Sequence, residues 1–142
     1  MKASVFVPAH ISGFFQPCEA SVPERKGSRN CGPCIDLGVF TEVKVERSDK
    51  NKVRVSIDGR TAPEAVTTLA AIKQLLSATG GSFNIEVNHR SQVPIGAGYG
   101  ASGAGALGAV LAQVRKILDW HKLHRLRNDP CGDSSWGEHL RC

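Results

Sequence analysis

The chain has 142 residues, of which 41% are hydrophobic, and carries a net charge of +5 at pH 7. This length accommodates one domain with a modest core, and no apolar run approaches the ~18 residues that a membrane helix needs. The apolar run at the start is too short for a secretion signal, so we expect a cytoplasmic protein. The positive charge suits anionic ligands, but no basic stripe indicates nucleic-acid binding.

The five cysteines are an odd number, which argues against a complete set of disulfides. Cys31 and Cys34 form a Cys-x-x-Cys motif, but zinc would need two further ligands, and the candidates are distant in the sequence: Cys18, His10 and His89. A redox pair would need a helix that begins at Cys31, which Pro33 disfavours. We therefore interpret these thiols as buried or incidental.

The first half of the chain predicts mainly strands. A short strand at 3–8 is followed by a loop-rich stretch at 14–34, which contains several prolines and glycines. Apolar alternation predicts strands at 35–47 and 52–58, and the polar link at 48–51 indicates that these two strands form a hairpin.

Two helices and a further strand complete the predicted fold. Thr61-Ala-Pro-Glu64 reads as a capping box that begins the first helix, and Gly80-Gly81 ends it. A strand at 83–90 follows, with Phe83, Ile85 and Val87 facing inward. A second helix at 103–118 has its predicted core side at Ala104, Leu107, Leu111 and Val114. Four strands and two helices in this order predict a two-layer α+β domain.

The segment between that last strand and the second helix is rich in glycine: residues 93–105 read Val-Pro-Ile-Gly-Ala-Gly-Tyr-Gly-Ala-Ser-Gly-Ala-Gly. Glycine costs backbone entropy on folding, so this density needs a geometric reason, and the usual one is close approach to a ligand. Successive N–H groups at a helix start form a positive, concave site that suits phosphate. Ser102 is placed to ligate a magnesium ion carried by the phosphates.

Three other interpretations of this segment are weaker. The Walker pattern requires a lysine, and none occurs between Ile95 and Val114. Residues 98–103 fit Gly-x-Gly-x-x-Gly, but a dinucleotide-binding fold would place that motif after a first strand. Close packing of a helix on a sheet explains Gly105 and Gly108 but not the glycines before Ser102.

The glycine-rich segment resembles the phosphate loop of the GHMP kinases, whose form is Pro-x-x-x-Gly-Leu-Gly-Ser-Ser-Ala. Ala101 takes the place of the first serine of that motif and Ser102 that of the second, which typically meets magnesium. The resemblance implies ATP and Mg²⁺ as cofactors, and Tyr99 either stacks on adenine or fills a gap. The nucleotide-binding residues that it implies are Pro94, Gly96, Ala97, Gly98, Tyr99, Gly100, Ala101, Ser102, Gly103 and Ala104.

Within that superfamily the chain is similar to archaeal pantoate kinases, through Pro-Ala-His-Ile-Ser-Gly-Phe-Phe at 8–15, Gly-Ser-Arg at 27–29 and Gly38-Val39. This implies transfer of the ATP γ-phosphoryl group to pantoate, giving 4-phosphopantoate in coenzyme A biosynthesis. His10, in the place of the family's lysine, either contacts the substrate hydroxyl or γ-phosphate or is a turn residue. Ser28 and Arg29 are substrate candidates, and Arg29 either binds the pantoate carboxylate or a phosphate or is a surface arginine. Homoserine- and mevalonate-type substrates stay open.

The resemblance also implies a fold and a domain boundary. It implies a truncated N-terminal GHMP domain of ribosomal protein S5 domain 2 type at 1–118, with a left-handed β-α-β crossover. Apolar periodicity is lost beyond this point, so we interpret 119–142 as an atypical tail that is frameshifted, truncated or disordered. A zinc site built from Cys131, His139 and Cys142 with His121 or His124 would match no standard spacing.

The partners that follow from this interpretation are ATP and a small hydroxy acid, with no nucleic acid and no membrane, and a homodimer stays open. GHMP kinases continue into an acidic helix and a second domain, so we expect little or no kinase activity from this chain. The alternative is a non-catalytic module that binds nucleotides or anions.

Overall fold

The computed structural model describes residues 2–22, 25–79 and 81–128. A five-stranded sheet carries two helices on one face, and a two-stranded sheet stands beside it. The strands are β1 (Lys2–His10), β2 (Phe14–Cys18), β3 (Gly27–Cys31), β4 (Cys34–Arg47), β5 (Lys52–Ile57), β6 (Arg60–Thr61) and β7 (Phe83–Ser91), and the helices are α1 (Val66–Thr79) and α2 (Ala101–Asn128). The two-layer α+β prediction is therefore confirmed. In the described ranges, neither helix is apolar enough over a sufficient length to cross a membrane.

The strand order β1-β4-β7-β5-β6 corrects the predicted hairpin. β4 and β5 do not pair, because β7 lies between them, antiparallel to β4 and parallel to β5. The link at 48–51 crosses the start of β7, where the Ser48 amide donates to the Ser82 carbonyl and the Phe83 amide donates to the Asn51 side chain. The alternation of apolar and polar residues indicates which face of a strand is buried, but it does not indicate which strand lies beside it.

The main core lies between the sheet and the helices. Phe83, Ile85 and Val87 are at most 5% exposed, as predicted, and pack with Ile72 and Leu76 of α1. The opposite face of the sheet carries charged side chains, among them the surface ion pair of Lys2 with Glu42. A one-sided sheet of this kind explains the alternation of apolar and polar residues in the strands.

α2 buries a different stripe from the predicted one. Leu107 and Leu111 are about half exposed. Small residues face the sheet and α1 instead, at a spacing of three and four: Ala101, Ala104, Gly105, Gly108, Ala109 and Ala112. They allow the helix to approach closely, since a β-carbon on Gly108 would lie 2.8 Å from Thr41 Oγ1. The close packing of α2 on the sheet therefore stabilises the fold more than burial of Leu107 and Leu111 would.

Three other boundaries differ from the prediction. Residues 14–34 contain the β2–β3 hairpin, which is exposed and so lacks the apolar alternation that would reveal it. Thr61 belongs to β6, so the capping box does not form and α1 begins at Val66. α2 continues to Asn128, ten residues beyond the predicted end at 118. Residues 129–142, with the zinc candidates Cys131, His139 and Cys142, lie outside the described residues.

The Cys-x-x-Cys motif lies on extended backbone. Cys31 ends β3 and Cys34 begins β4, and both are free and exposed. Their exposure corrects the interpretation of these two thiols as buried. In the described part of the chain, no three His, Cys, Asp or Glu side chains converge as a metal site.

Candidate functional site

The glycine loop, defined here as residues 94–100, connects β7 to the first turn of α2. Gly96, Gly98 and Gly100 have φ angles of 81°, 84° and 68°. Side chains with a β-carbon are strained in this region, so alternate glycines give the loop a conformation that few other residues could adopt. The loop ends where the free N–H groups of the α2 N-terminus begin, an arrangement that suits a phosphate.

His10, at the end of β1, lies against this loop. Its amide donates to the Tyr99 carbonyl at 3.2 Å, and its ring covers Gly100, where a β-carbon would come within 2.6 Å of Nδ1. The ring Nε2 lies 3.3 Å from Ser12 Oγ. The structure therefore brings His10 and the glycine loop together, although they are about 90 residues apart in the sequence.

The turn that carries His10 is held by the strand connection opposite it. Between Pro8 and His10 the β1–β4 register shifts, which directs the chain away from the sheet. The Ile11 amide donates to the Pro33 carbonyl at 3.0 Å, and the Gly13 amide donates to the Cys31 carbonyl at 2.8 Å. These backbone bonds position His10 and Ser12 relative to the sheet.

A second apolar cluster packs against the glycine loop. Its buried members are Ala9, Val39, Val93, Ala101 and Ala104. Tyr99 is partly buried against them, so its ring fills a gap between the loop and the sheet. This placement favours the packing interpretation of Tyr99 over stacking on adenine.

A cleft of about 440 Å³ opens between α1, β6 and the start of α2. Ser102, in the first turn of α2, lies on its wall with an exposed side chain. Most of the other lining groups come from the β6–α1 connection, which the sequence interpretation did not assign to the site: Arg60, Thr61, Ala62, Glu64, Ala65, Val66, Thr67 and Thr68. The cleft is large enough for a small organic ligand.

His89 on β7 forms part of the cleft wall and was not predicted as a site residue. Its side chain is 4% exposed, and both ring nitrogens have threonine partners: Nδ1 lies 2.9 Å from Thr41 Oγ1 and Nε2 lies 3.2 Å from Thr68 Oγ1. The sequence did carry a signal, because His89 continues the inward positions of Phe83, Ile85 and Val87.

Burial lowers the pKa of His89 below its ordinary value of 6.5. In the unfolded chain this imidazole binds its proton more readily than in the folded chain. The contribution of His89 to stability is therefore present above pH ~6.5 and is lost as the pH falls from that value through the folded pKa.

We predict that the free energy of unfolding falls between pH 7.5 and 5.5, by at most ~1.4 kcal/mol per pH unit from this group. Urea unfolding at both pH values, with the wild-type chain and His89→Gln, measures the effect, and the pH dependence should shrink in His89→Gln. Ser77→Ala, which removes an exposed hydroxyl on α1, is the control and should retain the wild-type dependence. An unchanged dependence in His89→Gln would contradict the prediction.

Ser28 and Arg29 lie away from the cleft lining. Both belong to β3 and are exposed, Ser28 opposite Pro17 and Arg29 opposite Gln16 of β2. The hairpin that carries them leads directly into the His10 turn through Cys31 and Gly13. Their predicted contact with substrate stays a prediction.

The fit of magnesium can be judged from the oxygen donors near the loop. The Ser102 hydroxyl is exposed at the helix start, and Glu64 lines the same cleft. Mg²⁺ usually takes one or two protein oxygens together with substrate phosphates and water. A hydroxyl beside a phosphate-compatible helix N-terminus fits that pattern, so Ser102 would hold an ion that arrives with the nucleotide.

The chain has curated relatives, although no protein-family model matches it. The pantoate kinase of Methanospirillum hungatei is 33% identical over 121 residues, covering 84% of this chain and 40% of the relative. The pantoate kinase of Thermococcus kodakarensis is 30% identical over 118 residues, covering 79% and 38%. The chain thus spans about two fifths of the length of the relatives that it matches.

Solved structures show the same fold. A phosphotransferase related to the CoA biosynthesis pathway matches with a TM-score of 0.72 at 28% identity, over 82% of this chain and 40% of the other. A mevalonate pyrophosphate decarboxylase from Streptococcus pyogenes matches with a TM-score of 0.65 at 16% identity, over 84% and 38%, and shows the fold alone. The fold of the described residues is therefore similar to that of GHMP kinases over about two fifths of their length. Within that superfamily, the proteins to which the sequence is similar are pantoate kinases.

Proposed function

We propose that this chain forms the nucleotide-binding part of a kinase of coenzyme A biosynthesis, with ATP as the phosphoryl donor and pantoate as the acceptor. The observation that carries the proposal is the glycine loop. Three glycines with positive φ lie directly before the N-terminus of α2, and His10 and Ser102 flank them. The similarity to pantoate kinases favours this substrate over homoserine or mevalonate.

Each group at the site has a role in the proposed reaction. The backbone N–H groups of the loop and of the first turn of α2 hold the ATP phosphates, and Ser102 contributes a hydroxyl to the magnesium ion. That ion supplies charge neutralisation of the phosphates. The P–O bond between the γ- and β-phosphates breaks, a P–O bond to the pantoate hydroxyl forms, and the hydroxyl proton is released.

His10 is the candidate for the contact with the transferring group. Its Nε2 pairs with Ser12, and an imidazole can donate or accept a hydrogen bond near neutral pH. It would bind the pantoate hydroxyl or the γ-phosphate, while Arg29 would bind the pantoate carboxylate or a phosphate. We infer that catalysis depends mainly on positioning and charge, as in other phosphoryl transfers.

A second candidate function is nucleotide binding without transfer. It is favoured by the glycine loop and the start of α2, which offer backbone N–H groups and the Ser102 hydroxyl to nucleotide phosphates. We therefore expect binding of MgATP by the purified chain but little or no turnover. Calorimetric titration with MgATP, followed by a coupled assay of ADP formation with and without pantoate, separates the two functions. ADP formation that depends on pantoate would contradict the expected inactivity.

Ser102→Ala tests the site itself. We expect the affinity for MgATP to fall about tenfold, because a hydroxyl ligand is lost, while metal-free ATP binds nearly as before. Titration of both variants with and without Mg²⁺ measures the difference. Ser77→Ala on α1, whose exposed hydroxyl donates to the Gln74 carbonyl, is the matched control and should bind as the wild type does. Equal binding of MgATP by Ser102→Ala and the wild type would remove Ser102 from the site.

A further inference from the structure

A buried chain of hydrogen bonds links the cleft between α1, β6 and α2 to the centre of the sheet. We call this cleft the nucleotide cleft because its wall includes Ser102 of the proposed nucleotide site. The chain of hydrogen bonds runs from Thr41 on β4 through the His89 ring on β7 to Thr68 in the first turn of α1. Thr41 is fully buried, and Thr68 and His89 are each 4% exposed. In a neutral imidazole one nitrogen donates and the other accepts, and a hydroxyl can do either. The two threonine hydroxyls therefore satisfy both ring nitrogens in either tautomer and fix the orientation of the ring.

Helix α2 packs directly on this chain. A β-carbon on Gly108 would lie 2.8 Å from Thr41 Oγ1, and one on Gly105 would lie 3.3 Å from His89 Cε1. The contact leaves little room for the ring to move without moving the helix that begins at the glycine loop. Both walls of the cleft, α1 and α2, are therefore in contact with the same imidazole.

The three residues differ in their access to the cleft. Thr68 and His89 line it, together with Ser102 and Gly105, whereas Thr41 lies behind them. A ligand in the cleft could touch Thr68 but not Thr41. An effect of Thr41 on binding would therefore have to pass through the His89 ring.

We propose that Thr41 and His89 are positioning residues for the nucleotide cleft, which hold the first turn of α1 at a set distance from the start of α2. This inference rests on the proposed function of the cleft. Loss of the Thr41 hydroxyl leaves a buried ring nitrogen without a partner, and buried polar groups without partners are costly. The ring then reorients, its bond to Thr68 weakens, and the wall formed by α1 shifts.

The test uses variants at Thr41 with MgATP as the probe. We expect Thr41→Val, which has nearly the same shape, to raise the Kd for MgATP about tenfold. Thr41→Ser keeps the hydroxyl and should bind within about twofold of the wild type. Thr41→Ala provides the same test should the valine variant fail to fold.

Ile72→Val on α1 separates positioning from general loss of stability. Ile72 is fully buried in the main core and does not line the cleft, so this variant should lower the Tm but leave the Kd unchanged. Wild-type affinity in Thr41→Val, or equal weakening in Ile72→Val at a matched loss of Tm, would overturn the proposal.

Amide hydrogen exchange distinguishes this proposal from the proposed function. In Thr41→Val without ligand we expect faster exchange at Leu69 and Ala70 in the first turns of α1, and unchanged exchange in Ile72→Val. If the wild-type chain binds no MgATP, the proposed function fails, and faster exchange in Thr41→Val would still support the link between Thr41 and α1. Unchanged exchange there would overturn that link.

Discussion

Gly100→Ala is expected to lower the free energy of unfolding by about 2–4 kcal/mol and to weaken MgATP binding about 100-fold. Two effects combine at this position. The φ of 68° is strained for any residue with a β-carbon, and that β-carbon would come within 2.6 Å of the His10 ring. Either the loop or His10 has to move, and both belong to the candidate site. Urea unfolding and calorimetric titration measure the two quantities.

Two other glycines of the same segment serve as controls. Gly98 has a φ of 84°, but no atom lies within 4 Å of its β-carbon position. Gly98→Ala should therefore lower the free energy of unfolding by the backbone strain alone, about 1 kcal/mol. Gly103 lies in α2 with nothing near it, so Gly103→Ala should be neutral or stabilise the chain by about 0.5–1 kcal/mol. Equal destabilisation by Gly100→Ala and Gly98→Ala would contradict the contact with His10.

The double variant His10→Ala/Gly100→Ala isolates the contact. Removal of the imidazole relieves the overlap but leaves the strained φ, so the double variant should be less destabilised than the sum of its single variants. An additive result would show that the ring and the loop are independent. Comparison of the two single variants with the double variant therefore tests the contact between His10 and the glycine loop. It needs only measurements of stability and no ligand.

Gly32→Ala is expected to destabilise the chain by about 3 kcal/mol or more. A β-carbon on Gly32 would overlap the Ile11 carbonyl oxygen and would lie 2.9 Å from the carbonyl carbon. Both are backbone atoms, so relief requires the backbone around Ile11 and Gly32 to separate, because no side-chain rotation removes the overlap. Because the bonds of Ile11 and Gly13 to Pro33 and Cys31 hold the His10 turn, the amide resonances of residues 10–13 should shift.

Gly27→Ala is the matched control for this prediction. Gly27 begins β3, the strand that ends one residue before Gly32, and has no atom within 4 Å of its β-carbon position. Its alanine variant should unfold within about 0.5 kcal/mol of the wild type. Comparable Tm values for Gly32→Ala and Gly27→Ala would refute the close approach of Gly32 to Ile11.

Part of the fold could be read from local patterns. Alternation placed β4, β5 and β7 and their buried faces, since a strand with one covered side must alternate. The exposed hairpin β2–β3 was missed because neither of its faces is buried. The sequence likewise predicted the wrong stripe for α2, since leucine content suggests burial while close packing requires glycine and alanine at the contact.

The candidate site shows the same division. The position of the glycine loop and of Ser102 at a helix start followed from composition, because glycines clustered before an apolar helix are typical of a backbone that approaches a ligand closely. The positive φ angles and the contact of His10 with Gly100 did not follow from it. His89 occupied an inward position of β7, but its threonine partners come from β4 and α1, 48 and 21 residues away in the sequence.

The sequence by itself determined the α+β class, the buried faces of the main strands, the glycine loop and the resemblance to GHMP kinases. These depend on residue type and on spacing along the chain. Only the tertiary structure decided that β7 separates β4 from β5, that His10 covers the glycine loop, and that Thr41, His89 and Thr68 form one buried chain beside the cleft. Such contacts are selected by the packing of distant segments, and no local pattern encodes which segments meet.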